Sequence, residues 1–195
     1  GAGRGTKTVL INRALQRQDA SLESHYLHVA VDLHDFKIAL VKQRIEQYGL
    51  KGVQTLTADI QQLDKLKAAG KLPESFDAVF IDAPCSGSGT LRRHPEIRWQ
   101  LQPDDVTQLS RQATEFLQVG ASFVKPGGTL TYATCSIFYE ENGQVIKTFL
   151  SSPNGASFQP LTTAGTSTPH VKAPNGDTHY LAILKRQKGD GSFMS

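Results

Sequence analysis

Cysteine is scarce in this 195-residue chain, with two copies, Cys85 and Cys135. So few thiols exclude the cross-linked framework of a small secreted domain. There is no Cys-x-x-Cys pair and no histidine cluster, so no zinc-binding spacing is present. No apolar run approaches the roughly 18 residues that a membrane-spanning helix needs. The opening residues, Gly1 to Thr8, lack the basic-then-apolar order of a signal peptide. Strong charge of one sign is missing as well. Lys and Arg number 21 against 18 Asp and Glu, for a net charge of +3 and a pI near 8.9, which permits a polyanionic partner without requiring one. Internal repeats and low-complexity blocks are also lacking. The expected compartment is the cytoplasm, with both thiols reduced.

What is present is a chain with 38% hydrophobic and 20% charged residues, enough apolar material for a core and too little charge for wholesale disorder. Short β-type runs alternate with longer helical segments, the pattern of a parallel sheet covered by helices. Strands are expected over 27–31, 53–57 and 78–81, each followed closely by an acid: Asp32, Asp59 and Asp82. Helices are expected over 34–48, where Ile38, Leu40, Val41, Ile45 and Tyr48 fall near helical spacing before Gly49, over 104–124 and over 140–150. Pro126-Gly127-Gly128 reads as a turn before a strand over 129–133. Loops and one short strand near Phe158 are expected in 151–176, and a last strand over 179–184. The domain is placed at 1–186 and a flexible tail at 187–195. A glycine loop normally follows a strand, and none precedes Gly1-Ala2-Gly3-Arg4-Gly5. The sequence therefore reads as a fragment lacking its first strand and upstream region.

Ligands of open α/β sheets bind beyond the carboxyl ends of the strands. Gly1, Gly3 and Gly5, opening a helix, would let backbone approach a ligand. Asp32 is placed to accept hydrogen bonds from ribose hydroxyls and Asp59 to reach an adenine amino group, the plain alternative being loop or helix-cap residues. Asp82-Ala83-Pro84-Cys85-Ser86-Gly87-Ser88-Gly89 sets an acid, a rigid proline and a thiol beyond the third run. Thr134-Cys135-Ser136 repeats the arrangement after the strand over 129–133. If the two strands are neighbours, both thiols face one crevice, either as reactive groups or as a disulfide. Thiolate addition to carbon 6 of a cytosine would turn an unreactive ring into an enamine nucleophile at carbon 5. A second thiol would serve release, and a cation such as Lys7 would lower the nucleophile's pKa or orient the base.

At these residues the chain resembles the Sun/Fmu (RsmB-like) and NSUN-type RNA cytosine-5 methyltransferases. The likeness rests on the Asp82 to Gly89 motif followed by Arg92-Arg93-His94-Pro95-Glu96-Ile97-Arg98-Trp99, on Thr131 to Ser136 with Glu140-Glu141-Asn142, and on Gly176-Asp177 to Lys185. It covers nearly the whole chain. The resemblance implies a Rossmann-like class I methyltransferase sheet, mostly parallel with an antiparallel last strand. It implies S-adenosylmethionine as methyl donor, RNA (ribosomal RNA is expected) as substrate, and Cys135 as nucleophile. Cys85 would assist release and Asp82 would contact the flipped base. Lys7 would lie near the base, Asp32 and Asp59 would hold the donor, and Asp82 would also line the donor site. The family's loop is closer to Gly-Gly-Lys-Thr, whereas here Gly3-Arg4-Gly5-Thr6-Lys7-Thr8 is longer. Arginines 92, 93 and 98 are candidates to grip phosphates, and Trp99 to stack on a base or to sit in the core. The rivals are a DNA cytosine methyltransferase, a non-catalytic RNA-binding module, and a nucleotide-dependent dehydrogenase, which has no use for thiols at two adjacent strand ends.

Overall fold

The computed structural model describes residues 1–18, 26–161, 170–172 and 175–188. They form two compact units, Gly1–Leu66 and Lys67–Ser195. Among the described residues no helix is long and apolar enough to cross a membrane.

In the first unit, helix α1 (Thr6–Gln18) precedes strand β1 (His28–Asp32), helix α2 (Asp35–Tyr48) and strand β2 (Val53–Thr57). β1 and β2 pair in parallel, with Asp32 opposite Thr57. α2 buries Ile38 and Val41 and ends at Gly49 in the left-handed conformation, the expected stop for a helix whose last carbonyls need partners. Gly5 has a φ of +83°, and a Cβ there would lie 3.2 Å from the Val41 backbone. That glycine therefore serves the packing of α1 on α2.

The second unit begins within helix α3 (Leu63–Ala68), which the sequence reading had left out, and continues to strand β3 (Phe76–Asp82). The short helix α4 (Ile97–Gln100) and the long α5 (Pro103–Ser122) lead to β4 (Val124–Thr134). α6 (Gly143–Leu150), β5 (Phe158–Pro160), β6 (His170–Lys172) and β7 (Thr178–Arg186) complete it. β3 and β4 are parallel, and β7 runs antiparallel to β4. β5 and β6 both pair with the far edge of β7, at opposite ends of it. α5 starts on a reciprocal cap between Gln102 and Asp105 with Pro103 in its first turn, which satisfies otherwise orphaned N–H groups. Its Ala113, Leu117 and Ala121 join Ile81, Leu130, Tyr132, Phe149 and Leu184 in the core. A Cβ on Gly120 would lie 2.6 Å from the Ile81 side chain, so α5 lies close on β3.

Three boundaries differ from the sequence reading. α5 stops at Ser122, and β4 begins at Val124 and runs through Pro126-Gly127-Gly128. Phe76 pairs with Val124 while Ala78 pairs with Thr129, so the expected turn is a bulge inside the strand. α6 starts at Gly143, not at residue 140, because Glu141 and Asn142 turn inward before it. β6 was not foreseen. Residues 189–195 of the expected tail lie outside the described residues.

Candidate active site

The residues singled out in the sequence fall in both units, and each group has its own geometry. In the first unit the Ala2 N–H donates to Val31 O at 2.7 Å, which seats the glycine opening beside the end of β1. Asp32 is buried. Its Oδ2 accepts from the Gly3 N–H at 2.9 Å and its Oδ1 from the His34 N–H at 3.1 Å. Lys37 Nζ is 3.7 Å from Oδ1. Burial alone would raise the Asp32 carboxyl, but the His34 and Gly3 hydrogen bonds and Lys37 outweigh it and hold the group below its ordinary range. Asp59 caps the short turn Ile60–Gln62 by accepting from the Gln61 N–H at 3.0 Å. Asp32 and Asp59 thus stand at the same ends of adjacent parallel strands, where an α/β sheet takes its ligand. Gly1 is exposed, and Lys7 is exposed on the first turn of α1.

In the second unit β3 and β4 are direct neighbours, and the loops leaving them bring the two thiols together. Cys85 Sγ and Cys135 Sγ are 3.2 Å apart, and both cysteines are free and half-buried. The Cys135 N–H also points at Cys85 Sγ, at 3.3 Å. The hydrogen bond with Cys135, followed by burial, pushes the Cys85 thiol far above the ordinary cysteine range. Cys85 is thereby held protonated next to its partner sulfur. Asp82, half-buried, is the last residue of β3, and the following Ala83 N–H donates to Ala133 O at 2.9 Å.

A buried polar network fixes these loops. The Glu141 carboxylate, 1% exposed, accepts from the Ser86 N–H at 2.7 Å and the Ser86 hydroxyl at 2.6 Å. It also accepts from the Ser136 hydroxyl. Ser88 and Ser136 hydroxyls meet at 3.1 Å, and Ser88 Oγ accepts from the Ile137 N–H at 3.0 Å. Asn142 accepts from the Thr134 hydroxyl at 2.7 Å and donates to Ser136 O at 2.9 Å. The Tyr132 hydroxyl donates to Glu141 O at 2.5 Å, and burial raises that phenol well above its usual range. Gly89 donates its N–H to Cys135 O at 2.8 Å. A Cβ on Gly89 would fall 2.0 Å from Thr178 O, so only glycine fits there.

The sequence reading noted Glu141 and Asn142 only within a motif and did not single out the serines. Their recognisable signal is a set of small polar residues at two strand ends, with an acid and an amide just before a helix.

An open cleft of about 360 Å³ adjoins Cys85, lined also by Ser86, Ile97, Gln100, Gln108 and Gln112. Trp99 is 78% exposed, so its placement in the core is ruled out, and the Arg98 guanidinium lies 5.5 Å from its ring centroid. His94 pairs with Glu96 at 3.1 Å on the surface. Among the described residues no group of three or more His, Cys, Asp or Glu is arranged to hold a metal.

Parallel strands with helices between them, an antiparallel closing strand, and reactive side chains at the carboxyl ends define a Rossmann-like α/β methyltransferase fold. The chain belongs to the family described as 16S rRNA methyltransferase RsmB/F, which it matches over residues 1–195. It is 34% identical over 169 residues to ribosomal RNA small subunit methyltransferase B of Enterobacter sp. (strain 638), covering 82% of this chain and 36% of that protein. It is 38% identical over 173 residues to the protein of the same name from Proteus mirabilis (strain HI4320), covering 86% and 34%. Among solved structures, PH0851 aligns with a TM-score of 0.71 at 31% identity, over 81% of this chain and 36% of that one. NSun6 from Pyrococcus horikoshii, solved with SFG, aligns with a TM-score of 0.74 over 97% of this chain and 47% of that one. At 19% identity that second likeness speaks to the fold alone. The chain spans about a third of the length of these curated relatives.

Proposed function

We propose that this chain is the catalytic part of an enzyme that methylates carbon 5 of a cytosine in RNA, with ribosomal RNA as the substrate class and S-adenosylmethionine as the donor. The observation that carries the reading is the 3.2 Å approach of Cys85 and Cys135 at the ends of adjacent parallel strands. Family membership, and relatives named for methylating the small-subunit ribosomal RNA, support the substrate class.

The donor side fits the first unit, where Gly1, Gly3 and Gly5 open α1 and Asp32 and Asp59 share one end of a parallel pair. In this reading Asp32 holds the ribose and Asp59 the adenine, and Lys7 belongs near the base. When bound, S-adenosylmethionine supplies an electrophilic methyl group. The chain's own residues prepare the acceptor. Cys135 adds through its thiolate to carbon 6 of the cytosine, and Asp82 contacts the base so that the ring accepts the resulting charge. Carbon 5 thereby becomes nucleophilic toward the methyl group that the donor would supply, the C–S bonding pair staying with the donor's sulfur. Once Cys135 is engaged in the carbon–sulfur bond, its hydrogen bond with Cys85, the largest of the influences that raise the Cys85 thiol, is lost, while burial remains. Cys85 then loses its proton to solvent, takes the proton from carbon 5, and Cys135 departs as a thiolate. Attack on the face of a base requires a single-stranded or flipped nucleotide. The cleft beside Cys85 has room for one, and exposed Trp99 with Arg98 offers a stacking surface at the rim of the same unit.

The test is mass spectrometry of ribosomal RNA incubated with full-length protein and isotopically labelled donor. The reading predicts label on 5-methylcytosine. Label on another nucleoside, or none with donor demonstrably bound, overturns it.

A further inference from the structure

The Arg92-Arg93 pair follows the Cys85 loop, where the sequence suggests a phosphate grip. Arg93 is engaged elsewhere. Its Nε donates to Asp177 Oδ1 at 3.1 Å, and its Nη2 donates to Asp177 Oδ2. Asn175 donates to that second oxygen at 2.9 Å and accepts from the Asp177 N–H at 3.2 Å. Asp177 is fully buried while Arg93 is half exposed. A bidentate guanidinium–carboxylate pair fixes orientation as well as distance.

This clamp stands beside Cys135. Asp177 immediately precedes β7, whose Tyr180 pairs with Thr134, the residue before Cys135. Gly89, four residues before Arg93, donates to Cys135 O and lies against Thr178 O. The 88–93 turn, the start of β7 and the Cys135 loop are therefore packed together. Cys135 acts electrostatically on Arg93, whereas the charges acting on Asp177 are Arg93 and His179.

We propose that Arg93, clamped by Asp177, is a positioning residue that presents positive charge to Cys135 and stabilises its thiolate before attack on the ring. A fixed cation is a standard means of lowering a thiol's pKa. The other titratable groups around Cys135 are Cys85 at 3.2 Å, Glu141, Tyr132 and Tyr180, and, at the start of β7, Asp177 and His179. Two permanent cations stand there: Arg93, fixed by Asp177, and Arg92, whose Nη1 would lie 2.8 Å from a Cβ on Gly176. The inference rests on Cys135 being the nucleophile, but its test needs neither RNA nor donor, so the two can fail separately.

The experiment is the pH dependence of iodoacetamide alkylation at Cys135, read on its own peptide by mass spectrometry in the full-length protein. Arg93→Gln is expected to raise the midpoint by about one pH unit, with Arg93→Lys staying near the parent. Asp177→Asn, which removes the opposing charge, is expected to lower it. A structural staple alone would move the Arg93 and Asp177 variants in the same direction. The proposal is overturned by an Arg93→Gln midpoint within about 0.2 units of the parent, by an equal rise in Arg93→Lys, or by a rise in Asp177→Asn. If thermal melting shows Arg93→Gln to be unfolded, Asp177→Asn decides: a fall supports the proposal and a rise overturns it.

Discussion

Two strand-end turns in this molecule are held by a buried carboxylate, and they are built differently. At the end of β1, Asp32 takes two backbone N–H groups and has Lys37 as a counter-charge. Beyond β3 and β4, Glu141 takes one N–H and two serine hydroxyls, so its hydrogen-bond donors are all neutral. The first turn is tied by one local N–H, that of His34, by the Gly3 N–H from 29 residues away, and partly by charge. The second joins segments 55 residues apart through neutral dipoles alone. A carboxylate taken out of water without a counter-ion depends on every one of its hydrogen bonds. The cysteine loops are therefore the more rigid of the two and the more easily ruined by a single change, whereas the Asp32 turn has a partner that can move.

The sharpest way to break the comparison is at Gly89, which no hydrogen-bond rearrangement can rescue. Gly89→Ala should cost at least about 3 kcal/mol in urea unfolding, since the new methyl meets a backbone carbonyl. Glu141→Ala should follow at about 3 kcal/mol, leaving the Ser86 N–H without its acceptor and the Ser86 and Ser136 hydroxyls with only other serine hydroxyls to donate to. Loss of less than about 1 kcal/mol there would show that the network is not what fixes the loops.

Asp32→Asn should cost less, about 1–2 kcal/mol near neutral pH. Its folded carboxyl is depressed. The stability it contributes is therefore present above the unfolded value near pH 4 and is lost as pH falls through the lower folded value. The gap between parent and Asp32→Asn should shrink below about pH 4 in acid titrations followed by circular dichroism. A gap that widens in acid contradicts the assignment. The smallest effect on folding belongs to Trp99→Ala, within about 0.5 kcal/mol because the ring is exposed. The same variant should weaken RNA binding about tenfold if the ring stacks on a base.

Much of the fold was legible. The β-type runs ended by acids became β1, β2 and β3 within a residue or two, because short apolar, β-branched runs closed by a polar residue are what strands of a covered parallel sheet require. The antiparallel final strand came from the family resemblance. The Pro126 to Gly128 bulge was not legible, since the same residues signal a turn. Nor was the start of α6, because Glu141 and Asn142 suit a first helical turn and their removal from it depends on partners far away in sequence. The pairing of Cys85 with Cys135 followed from treating their strands as neighbours. Arg93 with Asp177, 84 residues apart, leaves no periodic trace. Local pattern reveals which face of an element is buried, not which side chain it will meet.

The most direct test of the central claim is the site of covalent attachment to RNA. Full-length protein would be incubated with cognate RNA and donor, digested, and the cross-linked peptide sequenced by mass spectrometry in the parent, Cys85→Ala and Cys135→Ala forms. The account predicts an adduct on Cys135 that accumulates in Cys85→Ala and disappears in Cys135→Ala. An adduct on Cys85 that survives in Cys135→Ala would contradict it.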